Sequence, residues 1–134
     1  MAETIELEIV TPEKQVVHTQ VEEIQIPGKA GYLGVLPGHA PLITELAVGE
    51  ISYRSSGHTT FLSVAWGFAE VLPNKVTILA ETAERAGEID VTRAQAALKA
   101  SQERLAAADS EEKVDQALAA VKRAETRIDV AQKG

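Results

Sequence analysis

The feature that most constrains this chain is an abrupt change of composition near Gly87. All five prolines and all five aromatic residues lie at or before Pro73, and every glycine except Gly134 lies at or before Gly87. Proline fixes φ and removes a donor, while glycine opens φ > 0, so a stretch crowded with both is broken into short extended pieces. Beyond Gly87 the chain is rich in alanine, the strongest helix former, with no proline and no internal glycine. Two grammars therefore share 134 residues, with a boundary that divides the chain into 1–87 and 88–134.

The first part alternates with period 2. Ile5, Leu7 and Ile9 alternate with Glu6 and Glu8, and Ile24 and Ile26 flank Gln25. Leu62, Val64, Trp66 and Phe68 alternate with smaller residues, and a last strand is read over Val76 to Ala80. Turn chemistry separates these runs at Pro27-Gly28, Ser55-Ser56-Gly57 and Leu72-Pro73-Asn74-Lys75. Short strands with turns at this spacing predict an antiparallel β-sandwich or barrel.

The second part is helical. Asp90 is a suitable N-cap, and at 100° per residue Val91, Leu98 and Leu105 share one stripe with Ala94 and Ser101. A break at Ala108-Asp109-Ser110 follows, with Ser110 a second N-cap and Glu111 and Glu112 placed where the helix dipole favours acids. Val114, Leu118, Val121 and Ile128 form the second stripe, beside Ala117 and Ala124. Two helices joined by a short turn make an antiparallel hairpin, so the fold class is α+β: a sandwich or barrel, then a helical hairpin. Its seams carry few large side chains. Ala97, Ala100, Ala119 and Ala120 lie away from them and suit flat packing on the β domain or on a helical partner. Thin packing of this kind fits a movable element, and it equally fits a merely marginal one.

Charge and residue usage exclude several function classes. The net charge of −7 argues against nucleic acid as a ligand. All of that acidity belongs to residues 1–88, while 89–134 are balanced, with eight basic and eight acidic residues. With no cysteine there is neither a disulfide nor a thiolate metal site. The opening Met1-Ala2-Glu3-Thr4-Ile5-Glu6 is acidic where a secretory signal is basic and then apolar, and no stretch reaches the ~18 apolar residues of a membrane span. A cytoplasmic protein is expected, reaching a membrane only through a partner. His18, His39 and His58 are scattered and no aspartate precedes Asp90, so neither a metal site nor a Ser-His-Asp constellation is legible. The chain does not read as an enzyme.

Two features remain. The run Gly31-Tyr32-Leu33-Gly34-Val35-Leu36-Pro37-Gly38-His39-Ala40-Pro41-Leu42 holds at most one short strand, Leu33 to Leu36, and lacks the Gly-Lys-Ser/Thr ending of a phosphate loop. It is either an anchored β corner or a shaped apolar surface for another protein. On the second helix Lys122 is positioned to pair with Glu125, whereas Arg123 and Arg127 lie four apart with no carboxylate at i±3 or i±4. With Arg93 they point away from the seam. They form a solvated basic face, or a site for a phosphate-bearing ligand or an acidic patch on a partner.

Leu33-Gly34-Val35-Leu36-Pro37-Gly38-His39-Ala40-Pro41-Leu42, Gly67-Phe68-Ala69-Glu70-Val71 and Ile89-Asp90-Val91-Thr92-Arg93-Ala94 resemble segments of the epsilon subunits of bacterial F-type ATP synthases. The resemblance covers essentially the whole chain. It implies an N-terminal β-sandwich with a C-terminal helical hairpin, in a non-catalytic rotor subunit of a proton-translocating synthase at the cytoplasmic face of the plasma membrane. The sandwich is then expected to couple the gamma subunit to the c-subunit ring, with Tyr32, His39 and Leu42 at or near those contacts. The hairpin is expected to fold on the sandwich or extend into the alpha/beta head and restrain ATP hydrolysis. Arg93, Lys99, Arg104, Lys122, Arg123 and Arg127 are the candidates to meet acidic segments there. No cofactor is required, but ATP is implied as a regulatory ligand, at Glu84, Ile89, Asp90, Arg93, Ala94, Arg123 and Arg127. Ala100 and Gln116 stand where strong binders are basic. The alternative reading is a free-standing ATP-sensing module of sandwich plus hairpin.

Overall fold

The computed structural model describes residues 3–134; Met1 and Ala2, the start of the acidic opening, lie outside the described residues. Eight strands come first: β1 (Ile5–Val10), β2 (Gln15–Val21), β3 (Glu23–Gly28), β4 (Gly31–Val35), β5 (Leu42–Leu46), β6 (Gly49–Ser55), β7 (His58–Val71) and β8 (Lys75–Arg85). A single 3-10 turn (Ala86–Glu88) leads to α1 (Val91–Ala107) and α2 (Glu111–Lys133).

The strands form a hydrogen-bonded path, β2-β1-β8-β7-β5-β3-β4, with β6 joined to β3 and β7. It folds over on itself as a sandwich. All pairings are antiparallel except that of β1 with β8, which is parallel from Glu6↔Lys75 to Val10↔Leu79. The first strand thus slots between β2 and a strand some seventy residues away in sequence. The core between the layers is aliphatic: Ile5, Leu7, Ile9, Ile24, Ile26, Val35, Ile51, Leu62, Val71 and Ile78 are fully buried. Burying one such side chain contributes about 1.5–3 kcal/mol.

β7 serves both layers. Its first half pairs with β6 from Ser55↔His58 to Gly49↔Val64, and its second half pairs with β5 from Leu46↔Gly67 to Leu42↔Val71. The strand turns the corner at Trp66 and Gly67, with φ of 50° and 128°. Gly67 is obligatory, because an added Cβ would collide with the carbonyl oxygen of Leu79. Trp66 has no such licence: a bulky residue in the left-handed region carries roughly 1–2 kcal/mol of strain. This corner corrects the alternation read over 62–68. Leu62 and Val64 face the core, but beyond the kink Trp66 and Phe68 point outward while Ala69 and Val71 take the inward positions.

Three other sequence boundaries move. The last strand runs from Lys75 to Arg85 rather than over Val76 to Ala80, because the edge of β7's first half needs a partner and residues 82–85 supply it. The short strand in the punctuated run spans Gly31–Val35, registered by a hairpin that closes Gly28 opposite Gly31. The helix stripes also shift. The fully or nearly fully buried positions are Ala94 and Ser101 on α1 and Ala117, Ala124, Thr126 and Val130 on α2, while Leu118 remains 49% exposed. Small side chains draw the helices close, and α2 turns part of its surface to the sandwich instead of to α1.

Candidate functional site: a basic cleft under the hairpin

Two short caps set the direction of the helices. The Asp90 carboxylate accepts the Arg93 backbone N–H at 3.0 Å, and Ser110 Oγ accepts that of Lys113 at 3.2 Å. Each satisfies one orphan donor of a first turn and is worth about 1 kcal/mol. Among the described residues Arg93 meets Asp90 through its backbone and not through an ion pair of its side chain. Ahead of α1, the Arg85 backbone N–H donates to Glu88 Oε1 at 3.0 Å, and Lys14 reaches the other oxygen at 3.4 Å. These contacts, the Arg85 hydrogen bond first, hold the Glu88 carboxyl below the ordinary glutamate range.

Between the hairpin and the sandwich lies a cleft of about 640 Å³. Its helical wall carries Arg93, Arg104, Arg123 and Arg127 over a floor of Ala97, Ala100 and Ala120; β8 contributes Glu81 and Glu84 from the other side. The alanine face thus lies toward the sandwich. The basic face borders the same cleft, and Arg93, Arg104 and Arg123 stay exposed there, so it is solvated and turned toward the sandwich at once. Arg127 forms a two-pronged pair with Glu84, Nε to Oε1 at 2.7 Å and an Nη to Oε2 at 3.1 Å. Parallel hydrogen bonds of this kind are the strongest side-chain contacts available to arginine. Arg123 sits with its guanidinium 5.4 Å from the centre of the Trp66 ring. Arg104 donates to Ser101 Oγ at 3.3 Å. Lys122 makes no ion pair with Glu125 among the described residues; its carbonyl accepts Thr126 Oγ1 at 2.8 Å.

The last turn of α2 has a separate anchor. Lys133 Nζ donates to Glu50 on β6 at 2.7 Å and lies 5.2 Å from the Phe61 ring centre. The Glu50 bond raises the lysine above its ordinary pKa. The neighbouring backbone N–H of Glu50 donates to the Tyr32 hydroxyl at 3.1 Å.

Of the residues singled out from the sequence, Glu84, Arg93, Arg123 and Arg127 come together around the cleft. Ile89, Asp90 and Ala94 lie at the start of α1, where Ile89 and Ala94 are buried and Asp90 is the cap. They orient Arg93 and do not themselves line the cleft. Ala100 is part of its floor, while Gln116 lies beside the hairpin turn and bonds Glu112. Ser63, Ser101, Lys14 and Thr82 were not foreseen as cleft residues. Strand pairing brings Ser63 and Thr82 there, the β1–β2 turn Lys14, and the docking of α1 Ser101.

The punctuated run forms one edge of the sandwich. Val35 is core, Leu33 and Leu42 pack partly against it, and Tyr32 and Leu36 stand 60% and 56% exposed. Its turn is tied down by Gly38 N–H to the Pro73 carbonyl at 2.8 Å, while His39 Nδ1 lies 2.7 Å from the Ala40 carbonyl oxygen. The run is anchored, and it leaves Tyr32 and Leu36 uncovered. Ile43, Phe68 and Leu79 extend that surface, with Phe68 directly opposite Leu79 in the β7–β8 register. The kink at Trp66 hid Phe68 from a period-2 reading.

A sandwich followed by a docked helical hairpin defines a class of subunit rather than a class of enzyme, and comparison with known proteins specifies it. Residues 4–86 match the family model of the ATP synthase delta/epsilon chain β-sandwich domain, and residues 88–132 match that of its long α-helix domain. The ATP synthase epsilon chain of Koribacter versatilis is 68% identical over 105 residues, covering 78% of this chain and 74% of that one. The epsilon chain of Solibacter usitatus is 50% identical over 135 residues and 99% of both chains. Among solved structures, a chain of the Euglena gracilis mitochondrial ATP synthase OSCP/F1/c-ring assembly superposes with a TM-score of 0.82 at 25% identity, over 96% of this chain and 81% of that one. A chain of the Tetrahymena thermophila central stalk and c-ring shares the fold, with a TM-score of 0.61 over 98% and 96% of the two chains at 14% identity. The chain belongs to the ATP synthase delta/epsilon family, and within it to the epsilon subunits of bacterial F-type ATP synthases. It is a subunit of the synthase other than a catalytic one.

Proposed function

We propose that the sandwich couples gamma to the c-subunit ring and that the hairpin restrains ATP hydrolysis by leaving the sandwich and entering the alpha/beta head. The observation that carries this is the way the hairpin is held. Its junction with the sandwich centres on an open cleft and a few polar contacts, Arg127–Glu84, Lys133–Glu50 and Arg123–Trp66, in place of a continuous apolar core. Exposed or half-buried ion pairs contribute only up to about 1 kcal/mol each, so undocking requires little. Released, the helices present Arg93, Lys99, Arg104, Lys122, Arg123 and Arg127 to acidic surface. Tyr32, His39 and Leu42, extended by Leu36 and Ile43, form the edge that meets gamma and the ring. The subunit has no catalytic site of its own and sits peripherally at the cytoplasmic face of the membrane; no described helix is long and apolar enough to cross one. The match to synthase subunits along the whole chain favours this over a free-standing nucleotide sensor.

ATP is the regulatory ligand of the docked state in this reading. The cleft volume falls within the ordinary range of small-molecule sites. Arg127 is committed to Glu84, which leaves Arg93, Arg104 and Arg123 for phosphates; Glu13 and Glu81 in the same cleft oppose tight binding. A ligand of this kind stabilises the docked hairpin by RT ln(1 + [L]/Kd).

Truncation after Gly87 tests the brake: gamma binding is retained and ATP hydrolysis by the assembled complex rises. Unchanged hydrolysis overturns it. Calorimetric titration of the whole chain with millimolar ATP tests the ligand: heat is expected, and it disappears in the Arg123→Ala, Arg127→Ala double variant. Absence of heat from the unmodified chain rules the ligand out.

A further inference from the structure

We propose that Trp66 is the sandwich's catch for the helical hairpin, a stacking platform that holds α2 through Arg123. The inference rests on reading the hairpin as a separable element, and three observations converge on it. Trp66 occupies a left-handed backbone conformation that a bulky side chain rarely adopts, beside a glycine that already supplies the sharpest part of the kink. Its ring contributes nothing to the sandwich core, from which it points away, and it remains 37% exposed. The guanidinium of Arg123 lies 5.4 Å from the ring centre, and among the described residues Arg123 has no carboxylate partner. Strain retained without a packing return marks a position held for another purpose. Here the return is a cation–π contact across the junction between the two parts, at the point where β7 passes from one layer to the other.

The same guanidinium lines the cleft. An anion bound in the cleft, or an acidic partner outside it, therefore competes with the indole for Arg123. Trp66 is the chain's single tryptophan, so its emission follows the catch without any label.

The test uses the isolated full-length chain and amide hydrogen exchange, with the strands as internal control. Arg123→Ala and Trp66→Gly each raise exchange over residues 120–133 about five-fold, the factor that corresponds to an exposed cation–π contact of about 1 kcal/mol. The double variant rises no further than either single one, because both remove the same contact. Trp66→Phe retains part of the protection. Trp66→Gly also raises the thermal midpoint of the sandwich by relieving the strain. Unchanged α2 exchange in Arg123→Ala, which leaves the strands untouched, overturns the proposal, as does full additivity in the double variant. These readouts require no synthase, so failure of the brake and failure of the catch are separate results.

Discussion

The sandwich and the hairpin bury their residues in different ways. The sandwich encloses isoleucine, leucine and valine with essentially no exposure, whereas the hairpin's most buried positions are mainly alanine, serine and threonine. Apolar area scales the driving force, so the first is a body that folds for its own sake and the second depends on where it is docked. The polar contacts differ in the same sense. Within the sandwich, backbone ladders join the strands; between sandwich and hairpin, long charged side chains make the links, Arg127–Glu84 at the cleft and Lys133–Glu50 at the end of α2. Under the function proposed above, this division of side-chain chemistry would give the subunit a rigid end for coupling and a detachable end for regulation.

The largest test of that difference is Ile78→Ala. Deleting a fully buried side chain from the sandwich is expected to lower its unfolding free energy by about 3 kcal/mol, read by denaturant unfolding of the whole chain. A loss below about 1 kcal/mol would mean that the aliphatic core is not what holds the sandwich. Next comes Glu84→Gln, which leaves the shape of the site but removes the charge facing Arg127. It should loosen the docked hairpin by up to about 1 kcal/mol and leave the strands unchanged in hydrogen exchange. Equal loss of protection in β7 and β8 would show that the two parts unfold as one.

The smallest effects are those of pH, and the two groups act in opposite directions. Lys133 has a raised pKa when folded, so its contribution is complete below the ordinary lysine range and is lost as pH rises through the folded value. Glu88 has a lowered one, so its contribution is present above the ordinary glutamate range and is lost as pH falls through the folded value. The end of α2 should therefore fray in alkali and the turn before α1 in acid, each by a few tenths of a kcal/mol. Residue-resolved exchange measured across both limits checks this; fraying of both ends at the same limit would contradict it.

Much of the architecture is legible because it is local. The loss of proline and glycine after Gly87, the caps at Asp90 and Ser110 and the period-2 runs each depend on neighbours within a few residues. The site was legible only as an inventory. Glu84, Arg93, Arg123 and Arg127 were named together through resemblance, but helical angle alone placed the arginines only away from the seam, open to solvent or to a ligand. It could not foresee that α2 turns this face to β8, because that choice belongs to the docking of one part on the other. Phe68 escaped for a related reason, since one positive φ at Trp66 exchanges inward and outward positions beyond it on β7.

By itself, then, the sequence determined which segments extend and which coil, where they change over, and which family they resemble, since backbone sterics and hydrophobic periodicity act at short range. The tertiary structure alone decided that Arg127 meets Glu84, that Arg123 rests on Trp66 and that β1 lies parallel to β8. Those contacts join residues forty to seventy positions apart, and only the closing of the sandwich and the docking of the hairpin bring them within reach of one another.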